Sequence, residues 1–207
     1  MSAREQILQR VRAALADAAG PPLPPPSISA AVDAAGDLAE RFKARLQAVG
    51  GECIDAGHGA AADAIVERLA ALAVRTVALG GGDELRAVAA ALQRRGIACL
   101  PPTAAPADLF AADAGVTQAQ WGIAETGTLV LDADAATARA ASLVPPLHVA
   151  LLPRDRLLPD LDAALAQLPQ PVPHAVTLVT GPSRTADIEL QLVVGVHGPR
   201  TLIVVLA

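Results

Sequence analysis

The chain has 207 residues and a formal net charge of −5, which excludes the basic footprint that a nucleic-acid partner requires. It is 53% hydrophobic yet holds only two phenylalanines, one tryptophan and no tyrosine, so modules that stack bases on aromatic rings are excluded too. Its two cysteines, Cys53 and Cys99, are too few for a disulfide scaffold or for the roughly four thiolates of an iron–sulfur cluster.

Mean hydropathy is high, at +0.42, but proline interrupts the uncharged stretches Gly96–Ala107 and Ala140–Pro153. A spanning helix needs ~20 apolar residues without such breaks, so no membrane span is expected. The N-terminus interleaves charge with Ile7, Leu8 and Val11, the pattern of an amphipathic helix rather than of a secretory leader. A soluble cytoplasmic protein is the expectation.

The first helix is predicted over Arg4–Ala18, stopping at Gly20. Five prolines in the six positions 21–26 then enforce an extended linker. Residues 1–26 are therefore expected to form a helical arm and linker, and residues 27–207 the main domain. Val32–Val49 carries Leu38, Phe42, Leu46 and Val49 at helical spacing, with Gly50-Gly51 as its stop.

From Glu52 onward the pattern alternates. Strands are predicted at Glu52–Ala56, Arg75–Leu79 and Ile97–Leu100, with helices at Ala61–Ala73 and Glu84–Arg95, the latter capped by Asp83. Ala107–Ala112 reads as a helical turn. Ala114–Gln120 and Ile123–Asp132 read as two strands turning at Trp121-Gly122. Leu147–Leu152 is a buried strand and Leu157–Leu168 a helix. Ala175–Val179 and Thr201–Leu206 complete the strands. Such alternation, with small aliphatic side chains dominating, gives an α/β fold with a mostly parallel sheet and right-handed crossovers.

Four sequence features could carry chemistry. Gly80-Gly81-Gly82-Asp83 follows a strand and opens a helix, as anion-binding turns do. It lacks the spacing of a dinucleotide fingerprint and the lysine of a Walker loop; a tight turn is the alternative. Glu125-Thr126-Gly127 interrupts an apolar region where a strand should be buried. A buried carboxylate needs partners, and Gly127 permits close approach of a backbone or ligand. Either a ligand site or a bonded strand edge fits.

The densest polar run, Ser183-Arg184-Thr185-Ala186-Asp187-Ile188-Glu189, follows a predicted strand, and ligands gather at strand carboxyl ends in open α/β sheets. Arg184 offers a planar donor fork; an internal Arg–Asp pair in a capped loop is the alternative. His197 lies in the glycine-flanked turn Gly195-Val-His-Gly-Pro199. His148 opens a strand after Pro145-Pro146-Leu147 and is the lesser candidate, while His58 and His174 carry little signal. No spacing specifies a metal, and a Gly-x-Ser-x-Gly nucleophile elbow is missing.

The strings Ile123–Leu131, Pro145–His148, Gly181–Glu189 and Gly195–Pro199 together resemble the LUD domain of the lactate-utilisation protein C family, over roughly Val32 to Ala207. The resemblance implies a Rossmann-like, mostly parallel sheet with helices on both faces, similar to the NagB/RpiA/CoA-transferase-like fold. It also implies a place in a three-component system oxidising L-lactate to pyruvate, alongside two proteins that carry iron–sulfur clusters. This chain would be the small component, an accessory subunit with no cofactor of its own. The alternative is an independent enzyme or binding protein for a small carboxylate, acyl-thioester or phosphorylated metabolite. In that reading Glu125, Arg184, Asp187 and His197 converge on the ligand. Catalytic residues stay open.

Overall fold

The computed structural model describes residues 2–16, 37–57, 59–101, 104–132, 136–169, 173, 175–186, 192–195 and 197–207. The chain divides into two units, Met1–Ala31 and Val32–Ala207. In the first, helix α1 spans Ala3–Ala16. Ser2 and Glu5 cap it reciprocally: the Ser2 N–H donates to Glu5 Oε2 (2.7 Å) and the Glu5 N–H to Ser2 Oγ (3.3 Å). Ile7, Val11 and Leu15 are exposed on it.

The second unit is built on a six-stranded parallel sheet. In chain order its strands are β1 (Glu52–Asp55), β2 (Thr76–Leu79), β3 (Ala98–Leu100), β4 (Ala114–Gln118), β7 (Leu147–Leu152) and β12 (Thr201–Leu206). Their spatial order is β1-β12-β7-β4-β2-β3. Three of the four interior strands, β12, β7 and β4, are covered on both faces, as a parallel sheet flanked by crossovers requires.

Because side chains alternate along a strand, each face has its own core. On one face Val149, Leu151, Ile203 and Val205 pack under helices α3 (Ala61–Ala71) and α4 (Leu85–Arg94). On the other, Ala150, Leu152, Val204 and Leu206 pack with Phe42 and Leu46 of α2 (Leu38–Ala48). Also on this face lie α5 (Pro106–Ala111) and α6 (Ala136–Leu143), through Leu109 and Ala141 against Ala78. Gly115 lets α6 come close to the sheet: a Cβ there would lie 1.7 Å from the Ala141 carbonyl oxygen.

A smaller four-stranded sheet covers the α2 face. It comprises β5 (Trp121–Ile123), β6 (Thr128–Asp132), β8 (Leu157–Leu158) and β9 (Val176–Val179), in the order β8-β5-β6-β9. Only β5 and β8 run parallel within it. A separate two-stranded antiparallel ribbon pairs β10 (Arg184–Ala186) with β11 (Leu192–Val194).

Three expectations need correction. Trp121-Gly122 is not a turn but part of β5, and the hairpin reverses at Ala124–Gly127 instead. Gly127 makes that reversal with φ of +68°, and its N–H donates to the Ile123 carbonyl (2.9 Å). The helix predicted from Leu157 starts only at Leu161, as α7 (Leu161–Ala166), because Asp160 caps it, accepting from the Ala163 N–H (2.8 Å). Asp83 does not cap α4: Glu84 occupies the cap position without a side-chain bond, and Asp83 pairs with Arg86 (2.8 Å).

Candidate functional site

A cavity of about 210 Å³ lies where the smaller sheet, the 181–183 turn and the 197–199 turn meet the amino-terminal halves of β7 and β12. Its polar wall comes from Ser142, His148, Thr177, Thr180, Ser183 and His197, and its apolar wall includes Leu143, Val179 and Leu202. It is therefore not at the carboxyl end of the main sheet. The strand preceding the 181 turn belongs to the smaller sheet, antiparallel to β6, so the carboxyl-end rule for parallel sheets does not govern residues 181–186.

Backbone bonds hold the two turns together. The Ser183 N–H donates to the Pro199 carbonyl (2.9 Å), and the Gly195 N–H to the Ser183 carbonyl (2.9 Å). Gly181, at φ +79°, brings its turn against Val49 at the end of α2, where a Cβ would meet the Val49 carbonyl oxygen at 2.8 Å. Opposite the turns stands α6, whose Ser142 hydroxyl donates to the Arg139 carbonyl (2.9 Å).

His148 is the chemically exceptional residue. It is fully buried on β7, beside Gly115 of β4 and Leu202 of β12. Its Nε2 bonds the Thr117 hydroxyl (2.8 Å), while its Nδ1 has no partner among the described residues. Burial pushes its pKa down to about 4, so the ring is neutral near pH 7. Its partner is Thr117, and among the described residues no hydrogen bond joins His148 to Ser142 or Ser183.

A second, wider cavity of about 510 Å³ adjoins the first and shares Leu143, His197 and Gly198 with it. Phe110, Pro146 and Arg200 line it further out. Phe110 is 75% exposed. The stem of Arg200 lies over Gly195, where a Cβ would meet its Cγ at 2.0 Å.

The residues singled out in the sequence divide accordingly. Ser183 and His197 line the inner cavity. Arg184 does not: its Nη2 donates to the Val49 carbonyl (2.6 Å), satisfying an orphan acceptor at the C-terminus of α2. Glu125 is half-buried in the hairpin turn and is not part of the cavity wall; its N–H donates to the Pro159 carbonyl (3.1 Å). Gly127 packs the hairpin onto α2, where a Cβ would lie 2.3 Å from the Leu46 nitrogen. Thr126 reaches the cavity indirectly, through a row of hydroxyls from Thr126 to Thr128 (2.6 Å) and on to Thr180 (2.8 Å). Thr185 lies on β10, and Asp187, Glu189, His58 and His174 lie outside the described residues.

The cavity wall also takes in His148, the lesser candidate of the sequence, and Ser142 and Thr180, which the sequence did not single out. The available signal was strand phase: His148 alternates with Ala150 and Leu152, so it had to share their buried face. Among the described residues, no three His, Cys, Asp or Glu side chains gather as a metal-ligand set, and no helix is long and apolar enough to cross a membrane. Burial raises both thiols, that of Cys53 to about 11.

Comparison with known proteins adds family. Lactate utilization protein C of Macrococcus caseolyticus is 41% identical over 94 residues, spanning 42% of this chain and 41% of that protein. Its namesake in Bacillus subtilis is 38% identical over 94 residues, spanning 42% and 39%. The matched stretch is thus under half the length of these relatives. The crystal structure of a DUF162 family protein from Deinococcus radiodurans superposes with a TM-score of 0.61 at 26% identity, covering 82% of this chain and 95% of that one. The sequence model of the LUD domain matches residues 39–207, and the chain belongs to the LUD domain family.

Proposed function

We propose that this chain serves L-lactate utilisation in the cytoplasm, as an accessory subunit of a system that oxidises L-lactate to pyruvate. The observation that carries this reading is the identity of about 40% with proteins named for lactate utilization, within a matched LUD domain. Removing two electrons from lactate needs an acceptor. These 207 residues contain two cysteines, too few thiolates for an iron–sulfur cluster. Iron–sulfur partner proteins as the electron carriers are what the resemblance to the lactate-utilisation protein C family implies.

Deleting the gene is expected to abolish or slow growth on L-lactate as carbon source, with growth restored by a plasmid copy. A tagged chain is expected to co-purify with iron–sulfur proteins from lactate-grown cells. Unimpaired growth in a strain without a second copy overturns the reading.

The fully buried His148, whose Nδ1 has no partner among the described residues, favours a second reading, in which the chain binds a ligand of its own: a small carboxylate, an acyl-thioester or a phosphorylated metabolite. Thermal-shift measurements with lactate, pyruvate, coenzyme A and nucleotides test it directly. If none of these raises the melting temperature, this second reading loses its support among those ligands.

A further inference from the structure

We propose that the two adjoining cavities form one binding site for an anionic amphiphile, with its anion on Arg200 and its uncharged, hydrogen-bonding end against His148. This deepens the second reading and rests on it.

The inner cavity sets the chemistry of the ligand's deep end. No Asp, Glu, Lys or Arg is among its described lining residues, and a bare charge placed there would lose its hydration without a counter-charge. His148 is neutral there. Buried polar nitrogens are nearly always paired, yet its Nδ1 has no partner among the described residues. Thr117, which holds Nε2, is not part of the cavity wall, so Nδ1 is the ring nitrogen left for a ligand. The deep end is therefore an uncharged group that offers hydroxyl or carbonyl oxygens to His148 and the hydroxyls around it. At about 210 Å³, the cavity exceeds the ~150 Å³ that suffices to admit benzene.

The outer cavity sets the other end. Arg200 lines it and makes no side-chain ion pair among the described residues. Gly195 seats its stem, and the exposed ring of Phe110 supplies an apolar wall. Arg200 lies two residues before Leu202, which pairs with His148 across the sheet. The two cavities, of about 210 and 510 Å³, hold far more than a three-carbon acid fills, so a ligand that occupies both is longer than lactate.

Calorimetric titration of the full chain tests this with ω-hydroxyoctanoate, ω-hydroxyoctyl phosphate, octanoate, octan-1-ol and L-lactate. The two hydroxylated anions are expected to bind and L-lactate is not; the tighter of the two identifies the anion as carboxylate or phosphate. Arg200→Ala is expected to weaken the anionic probes about tenfold, the worth of one charge-assisted hydrogen bond, and to leave octan-1-ol unchanged. His148→Asn should reduce the preference for ω-hydroxyoctanoate over octanoate. Leu143→Trp, at a half-exposed position shared by both cavities, should abolish binding without lowering the melting temperature. It keeps the test valid if His148→Asn fails to fold. Failure of both hydroxylated anions to bind wild type, or unchanged affinity in Arg200→Ala, overturns the proposal. Growth on lactate is a separate readout, so the two readings can fail independently.

Discussion

The two ends of the main sheet handle polarity in opposite ways. At the carboxyl end, charges neutralise one another: Arg154, just past β7, pairs with Asp55 of β1, and Arg156 pairs with Glu84 beside α4 (3.6 Å). The glycine turn there is spent on packing. The Gly80 N–H donates to the Val116 carbonyl (2.8 Å), and a Cβ on Gly82 would lie 2.2 Å from Gln118 Oε1. Toward the amino end, the inner cavity holds a neutral histidine and a set of hydroxyls. The comparison teaches that a layer added to one face can move a candidate site away from the end where parallel sheets usually hold their ligands.

Four measurements would break or sharpen that contrast. The largest effect is expected from Gly115→Ala, whose methyl would overlap the Ala141 carbonyl. It should cost more than about 3 kcal/mol, read by urea unfolding. A loss below about 1 kcal/mol would mean that α6 slides freely and that the cavity wall is not fixed.

Next comes the pH dependence of stability. The folded-state pKa of His148 is depressed to about 4 from an ordinary 6.5, so the unfolded chain binds the proton more readily. Its contribution is complete above about pH 6.5, is lost as pH falls toward 4, and amounts to about 3 kcal/mol. Urea unfolding between these pH values should show the slope in wild type and a shallower one in His148→Gln.

Arg184→Ala should cost about 1 kcal/mol, the worth of a bond to a helix-terminal carbonyl, and leave ligand affinity unchanged. Lost affinity with unaltered stability would return Arg184 to the site. The smallest effect belongs to Arg154→Ala. A half-exposed ion pair contributes under about 1 kcal/mol, and salt should shrink the difference from wild type further.

Much of the main sheet was legible because parallel strands covered on both faces leave uninterrupted apolar runs. Leu147–Leu152 and Thr201–Leu206 were read with the bounds they have. The assignment of a strand to a sheet was not legible. Val176–Val179 looks like any other short apolar run, and only its antiparallel partner β6 removes it from the main sheet. The same ambiguity misplaced residues 181–186 relative to the main sheet. His197 drew attention because glycines flank it, whereas His148 was hidden inside an apolar strand. Burial gives a histidine an unusual environment, and burial is a property of the packed chain rather than of its neighbours in sequence. Arg184 carried a fork that suited a ligand and a helix terminus equally; only the position of Val49 decides between them.

The row Thr126, Thr128 and Thr180 has a consequence beyond positioning. A hydroxyl both donates and accepts, and its proton rotates to suit its neighbours. Thr128, in the middle, has one proton to give and two lone pairs, so it either donates to one neighbour and accepts from the other or accepts from both. A ligand that takes the Thr180 proton would exclude the arrangement in which Thr180 donates to Thr128, leaving Thr128 as the donor of that bond.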